Sequence, residues 1–222
     1  MRRPQTVFVL SPAHLGGKRA GFLRRNDAAF DLAARLQRDE PVPLGDVYAF
    51  VSGLYFRGKM AYARAFASKV SGRAAVFTIT PDRGLVHVDE PVTLDDLAKM
   101  GEVDIDMTNP QYHTPLRRDI TVMRDRLPLN GRVVLLGSIA TAKYVDLLVE
   151  ILGEQLVFPT DFVGRGDLSR GGLCLRAADS KTELAYAPVI GATRKGSRPP
   201  KLEPIKRLPK TRHPNKARDP HK

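Results

Sequence analysis

The chain has a single cysteine, Cys174. That excludes an internal disulfide and a metal site built from cysteines. Cys174 lies in the alternating run GLCLRA, where a packed core thiol is the plain reading. A lone cysteine also suits a reducing compartment. No segment approaches the ~20 apolar residues of a membrane helix. The start, MRRPQTVFVLSP, has the outline of a signal peptide. Its apolar run is about five residues, short of the ~7–15 such a region needs, so a cytoplasmic protein is expected. The histidines are His14, His87, His113, His213 and His221, with no pair at HExxH spacing. A metal enzyme is not expected, and no cofactor is required. GSIATAK (137–143) invites a P-loop reading but lacks it: Ala142 stands where glycine is required and Tyr144 where Ser or Thr is.

What the chain does have is positive charge, unevenly placed. The formal net charge is +12. Residues 192–222 hold six Lys and five Arg against two acidic residues, so +9 of it lies there. This stretch has six prolines and few large apolar residues. It is expected to be a disordered basic tail. A basic arm favours a polyanion, and the phosphate backbone of nucleic acid is the usual one.

Residues 1–191 read as one domain. TVFVL (6–10), AVFTI (75–79) and RVVLL (132–136) are continuous apolar runs, as in buried strands, and each ends in a polar cluster. Helical patterns occupy 25–37, 57–70, 93–100, 115–127 and 139–152, with Thr93 as an N-cap. LCLRA (173–177) and ELAYAPV (183–189) read as a closing antiparallel hairpin. Strands alternating with helices predict an α/β domain around a largely parallel central sheet. Ligands of such sheets sit beyond the carboxyl ends of the strands. Those ends carry Ser11, His14, Asp82, Arg83 and Ser138.

Three stretches carry candidate chemistry. Gly137-Ser138 after a strand offers backbone N–H groups to an anion, or is a simple cap. In LGDVYAFVSGLYFRGK (44–59), Asp46, Tyr48 and Tyr55 lie near glycines, with Arg57 and Lys59 suited to a phosphate. Tyr48 and Tyr55 are equally readable as core aromatics. FVGRGDLSRGG (162–172) reads as an anion-binding loop: flexible glycines, two guanidinium forks in Arg165 and Arg170, and Asp161, Asp167 and Ser169. The alternative is a salt-bridged Arg–Asp turn.

Four blocks together resemble the YaaA superfamily: VFVLSPAH, GDVYAFVSGLYF, ITPDRGLVHVDEPV and GRGDLSRGG, in that order, over residues 6 to about 176. The second also resembles a motif of relatives found with deazaguanine DNA modification. The resemblance implies a three-layer α/β fold, distantly uracil-DNA-glycosylase-like. It implies a link to DNA and to damaged or modified nucleobases. On that footing the expected function is a DNA glycosylase, a hydrolase of the base–sugar bond, serving DNA repair or antiviral defence. Asp82 or Asp46 would act near the sugar, and Ser11 and His14 on the base. Tyr48 or Tyr55 would stack, and Arg165, Ser169 and Arg170 would hold phosphate. Ser138 and Asp167 complete the expected substrate-binding set. The alternatives are a non-catalytic DNA-binding protein of the stress-protection kind and a small-molecule nucleoside hydrolase.

Overall fold

The computed structural model describes residues 4–203, apart from Asn26 and Ala29. The chain opens with β1 (Thr6–Leu10), α1 (Lys18–Leu23), α2 (Asp31–Gln37), β2 (Val42–Pro43), α3 (Leu44–Ser52) and α4 (Leu54–Phe66). It continues through β3 (Lys69–Val70), β4 (Arg73–Ala74), β5 (Val76–Thr80), β6 (Gly84–His87), β7 (Pro91–Val92), α5 (Leu94–Glu102) and α6 (Pro110–Arg126). It closes with β8 (Arg132–Leu136), α7 (Val145–Leu152), β9 (Leu156–Pro159), α8 (Asp167–Asp179) and β10 (Tyr186–Pro188).

Six strands form one sheet in the order β10-β9-β8-β1-β5-β6. The four inner strands are parallel, and β10 and β6 pair antiparallel at the edges. The apolar runs predicted as buried strands are β1, β5 and β8, adjacent at the centre. Their continuity follows from cover on both faces. Phe8 and Leu10 of β1, with Val134 and Leu136 of β8, point to a core shared with α2 to α5 and α8. Val7 and Val9, with Val133 and Leu135, point the other way, to Tyr112, Leu116 and Ile120 of α6 and Leu147 and Leu148 of α7. This is an α/β domain with a mostly parallel sheet, compatible with three layers.

Local signals explain several boundaries. Thr93 caps α5 as expected: its Oγ1 accepts from the Asp96 N–H at 3.2 Å, and the Asp96 carboxylate accepts from the Thr93 N–H at 2.9 Å. At one edge Leu85 N–H of β6 donates to Asp119 Oδ2 of α6 at 3.0 Å. At the other, β10 is three residues long and ends in Pro188.

The expected closing hairpin is not formed. Residues 173–177 lie inside α8, and β10 pairs with β9 instead. The alternation in GLCLRA is outweighed by a spacing of three: Gly171, Cys174 and Ala177 are the buried positions of α8. Burial pushes the Cys174 thiol up to about 12, as suits a packed core thiol. The helix expected over 25–37 is shorter, starting at Asp31, and the one expected over 139–152 starts at Val145.

The basic stretch expected as a disordered tail is described as far as Glu203. Residues 192–203 hold no helix or strand but touch the domain. Arg194 pairs with Asp146 at 2.6 Å, and the Pro200 carbonyl accepts from Arg165 at 3.2 Å. Residues 204–222 lie outside the described residues.

Candidate active site

The strand ends meet the head of α8 at a cleft of about 480 Å³. Ser11 and His14 reach it from the loop after β1, and Ser138 from the loop after β8. Tyr55 of α4 and Asp167 of α8 line the opposite side, and Lys18 and Arg19 of α1 form an exposed cationic rim. The position, beyond the carboxyl ends of parallel strands, is the one the topology predicts.

Below the cleft lies a residue whose role the sequence did not announce. Lys59 is 1% exposed, inside the apolar face of α4 that also carries Tyr55, Phe56, Met60, Tyr62 and Ala63. Its Nζ donates to the Ser11 carbonyl at 2.9 Å and to Ser11 Oγ at 2.8 Å. It lies 4.4 Å from the Tyr55 ring centre and 4.6 Å from that of Phe56. Burial pushes this ammonium down to about 7, while the Asp167 carboxylate acts to hold it up and Arg170 to lower it. Lys59 therefore faces Ser11, not a phosphate as expected.

The depth of Lys59 follows from how α4 meets α8. A Cβ on Gly58 would stand 2.8 Å from Gly171 Cα, and one on Gly171 would stand 2.7 Å from the Leu54 carbonyl oxygen. Only glycines allow this approach of backbone to backbone. Of the final glycines of FVGRGDLSRGG, Gly171 thus serves helix packing. Gly164 makes the preceding turn, at φ +71°.

The two arginines of that stretch do not form the expected anion cradle. Arg165 donates to the Asp161 carbonyl at 2.9 Å and to Ser169 Oγ at 3.3 Å, besides Pro200. Arg170 donates through Nε to the Phe162 carbonyl at 3.1 Å, and its Nη1 stands 3.7 Å from Asp167. Both brace the loop against α8. Ser169 is held by Arg165 rather than facing the cleft, and Asp167 alone of the stretch lines it.

Tyr55 stands in the wall of the cleft, and Tyr144 lies behind Ser11 and Ser138. Burial raises the Tyr55 hydroxyl, and its Oη is buried with no hydrogen-bond partner among the described residues. Tyr144 Oη donates to the Ser138 carbonyl at 3.2 Å; burial raises it to about 12, against the Ser11 hydroxyl beside it. Ser138 Oγ accepts from the Ala140 N–H at 3.3 Å, making a turn rather than a helix cap, since α7 begins at Val145.

The remaining expected residues lie elsewhere. Asp46 is exposed on α3, beside a separate depression with Phe30, Phe50 and Arg57. Asp82 follows β5, and Arg83 next to it turns toward Asp96 of α5 at 3.4 Å. Burial raises the Asp82 carboxyl, and its Oδ1 has no partner among the described residues. Neither carboxylate lines the cleft. Tyr48 is fully buried, edge-on to Phe56 at 5.3 Å, so its ring has no free face for a base. The sequence pointed Lys59 at a phosphate rather than at Ser11, and it missed Tyr144. A lysine amid apolar helix positions was the legible signal for the first; Tyr144 gave none beyond its offset from Ser138.

Among the described residues no group of three or more His, Cys, Asp or Glu could hold a metal ion, and no helix is long and apolar enough to cross a membrane. No family model, curated protein or solved structure matches the chain.

Proposed function

We propose that the protein hydrolyses the base–sugar bond of modified or damaged nucleotides in DNA, on a fold of the uracil-DNA-glycosylase kind. The observation that carries this reading is the cleft itself. It gathers a carboxylate (Asp167), hydroxyls (Ser11, Ser138), an aromatic side chain (Tyr55), an imidazole (His14) and a cationic rim at one strand end. Its volume, about 480 Å³, lies in the range of small-ligand sites, roughly 300–1,000 Å³, and suits one extruded nucleotide.

The roles follow from placement. Asp167 is the carboxylate within reach of a bound sugar. It orients water and offsets the positive charge that grows at C1′ as the bond breaks. The apolar body of Tyr55 meets the base, and His14 offers it a hydrogen bond. Lys18 and Arg19 meet flanking phosphates. The basic stretch 192–222 adds affinity that is independent of sequence and falls with salt. The YaaA-like blocks point to the same substrate class.

The test offers purified protein two DNAs, one plain and one carrying hydroxymethylcytosine derivatives. Abasic sites are scored by alkali cleavage and freed bases by mass spectrometry. Release from one class supports the reading and names its substrate. A second reading, binding without chemistry in either repair or defence, is favoured by the +9 stretch alone. Salt-sensitive binding with no release from any DNA would choose it.

A further inference from the structure

We propose that Ser11 and Lys59 form a proton-donating pair on the floor of the cleft, which protonates the departing base. This rests on the base-excision reading above. The geometry carries it. Lys59 has three protons as an ammonium. The Ser11 carbonyl takes one at 2.9 Å and Ser11 Oγ a second at 2.8 Å. The Tyr55 and Phe56 rings, 4.4 and 4.6 Å away, receive the remaining positive face. A carbonyl, a hydroxyl oxygen and two ring faces are the surroundings of a cation.

That arrangement sets the direction of the Ser11 hydroxyl. Its oxygen accepts from Lys59, so its own hydrogen is left to donate, to Tyr144 Oη beside it at rest or to a ligand in the cleft. Ser11 is 8% exposed, and that exposure is to the cleft. Lys59 has no route to a ligand except through it.

The step balances as follows. The C1′–N bond breaks, and its electron pair goes to the base. The Ser11 hydroxyl proton moves to an oxygen or nitrogen of the base, and a Lys59 proton replaces it on Oγ. Water oxygen bonds to C1′ and gives its proton to Asp167. Solvent later carries that proton from Asp167 to Ser11 Oγ, which passes a proton back to the Lys59 amine. Ser11 touches the base; Lys59 supplies the proton through it and holds it in place.

The pair is also set to titrate. The charged and titratable groups facing Lys59 are Tyr55 on its own helix and Asp167, Arg170 and Cys174 on α8, with burial the largest influence. The ammonium loses its proton near pH 7, so its acid role is lost as pH rises through about that value.

The experiment measures single-turnover base release across pH 5.5 to 9, a range of roughly two units around Lys59. It compares wild type, Ser11→Ala and Lys59→Met on the DNA that wild type cleaves, with circular dichroism confirming each fold. Wild type is expected to slow above about pH 7. Each variant is expected to lose about 10²–10⁴-fold, and Lys59→Met to lose the alkaline fall. On DNA bearing an electron-poor base, which leaves without a proton, the variants' loss shrinks to about tenfold or less. Folded variants within about threefold of wild type would overturn the pair but leave the excision reading intact. A rate that rises through pH 7, with a DNA adduct on Ser11, would overturn it in favour of a serine nucleophile with Lys59 as base. No base release by wild type from any DNA would overturn the excision reading and the acid role together.

Discussion

Gly58 of α4 and Gly171 of α8 pack backbone against backbone. A Cβ on either one would stand under 3 Å from main-chain atoms of the other helix. Alanine favours a helix over glycine by about 1 kcal/mol, yet here the steric term wins. Gly171→Ala is expected to destabilise the fold by about 1–3 kcal/mol, read as a lower urea midpoint at unchanged slope. A midpoint that rises would mean that α4 and α8 tolerate separation. Since α4 also carries Tyr55 and Lys59, the same variant should distort the cleft.

Asp167→Asn should abolish most base release, by about 10²–10⁴-fold, without loss of stability. Its side chain is 70% exposed, so the fold does not depend on it. Asp46→Asn and Asp82→Asn should keep release, because neither residue reaches the cleft. Single-turnover assays on the three variants decide the matter; a lost activity in Asp82→Asn with full activity in Asp167→Asn would reverse the assignment.

Lys59 should also register in stability. Its ammonium is lowered from an ordinary 10.5 to about 7 by burial. Between those values the unfolded chain holds a proton that the folded chain has released, so stability gained from this group rises with pH across the window. Relative to wild type, Lys59→Met should lose that rise, an effect on the order of a few kcal/mol at its upper end. Chemical denaturation of both proteins at pH 7 and about pH 9 measures the difference, in which other titrating groups cancel.

Arg165 and Arg170 separate bracing from phosphate binding. Arg170 is 12% exposed at its side chain and bonded to the Phe162 carbonyl. Arg170→Ala should lower the melting temperature, and Arg165→Ala should leave the salt dependence of DNA binding unchanged. If Arg165 held a phosphate, the slope of log affinity against log salt would fall by about one.

Deleting residues 204–222 removes four Lys, three Arg and one Asp. DNA affinity should fall, its salt slope should become shallower, and thermal stability should stay within about 0.5 kcal/mol of the full chain. Fluorescence anisotropy at two salt concentrations checks the first pair of outcomes.

Much of the frame was legible because the central strands are covered on both faces. Continuous apolar runs at 6–10, 75–79 and 132–136 need no partner information to be read as buried strands. Thr93 with Asp96 was equally local. The errors came where long-range packing decides. GLCLRA alternates like a strand, but contact with α4 selects the three-residue spacing of Gly171, Cys174 and Ala177. Asp82, Ser11 and Ser138 all follow central strands, yet the loop after β5 turns toward α5 and takes Asp82 with it. Ser11 and Lys59 are 48 residues apart, and no local pattern joins a serine after a strand to a lysine on a helix's apolar face.

The two outer strands bear on how the protein behaves when crowded. An open sheet edge is a template on which a neighbouring chain can add a strand. At β6 the outward Leu85 N–H is already taken by Asp119. At β10 the strand is three residues long and Pro188 has no N–H to give. Edge-to-edge growth at β6 would first have to break that side-chain bond, and at β10 it would find a truncated ladder. The sheet is thereby guarded at both ends against joining copies of itself.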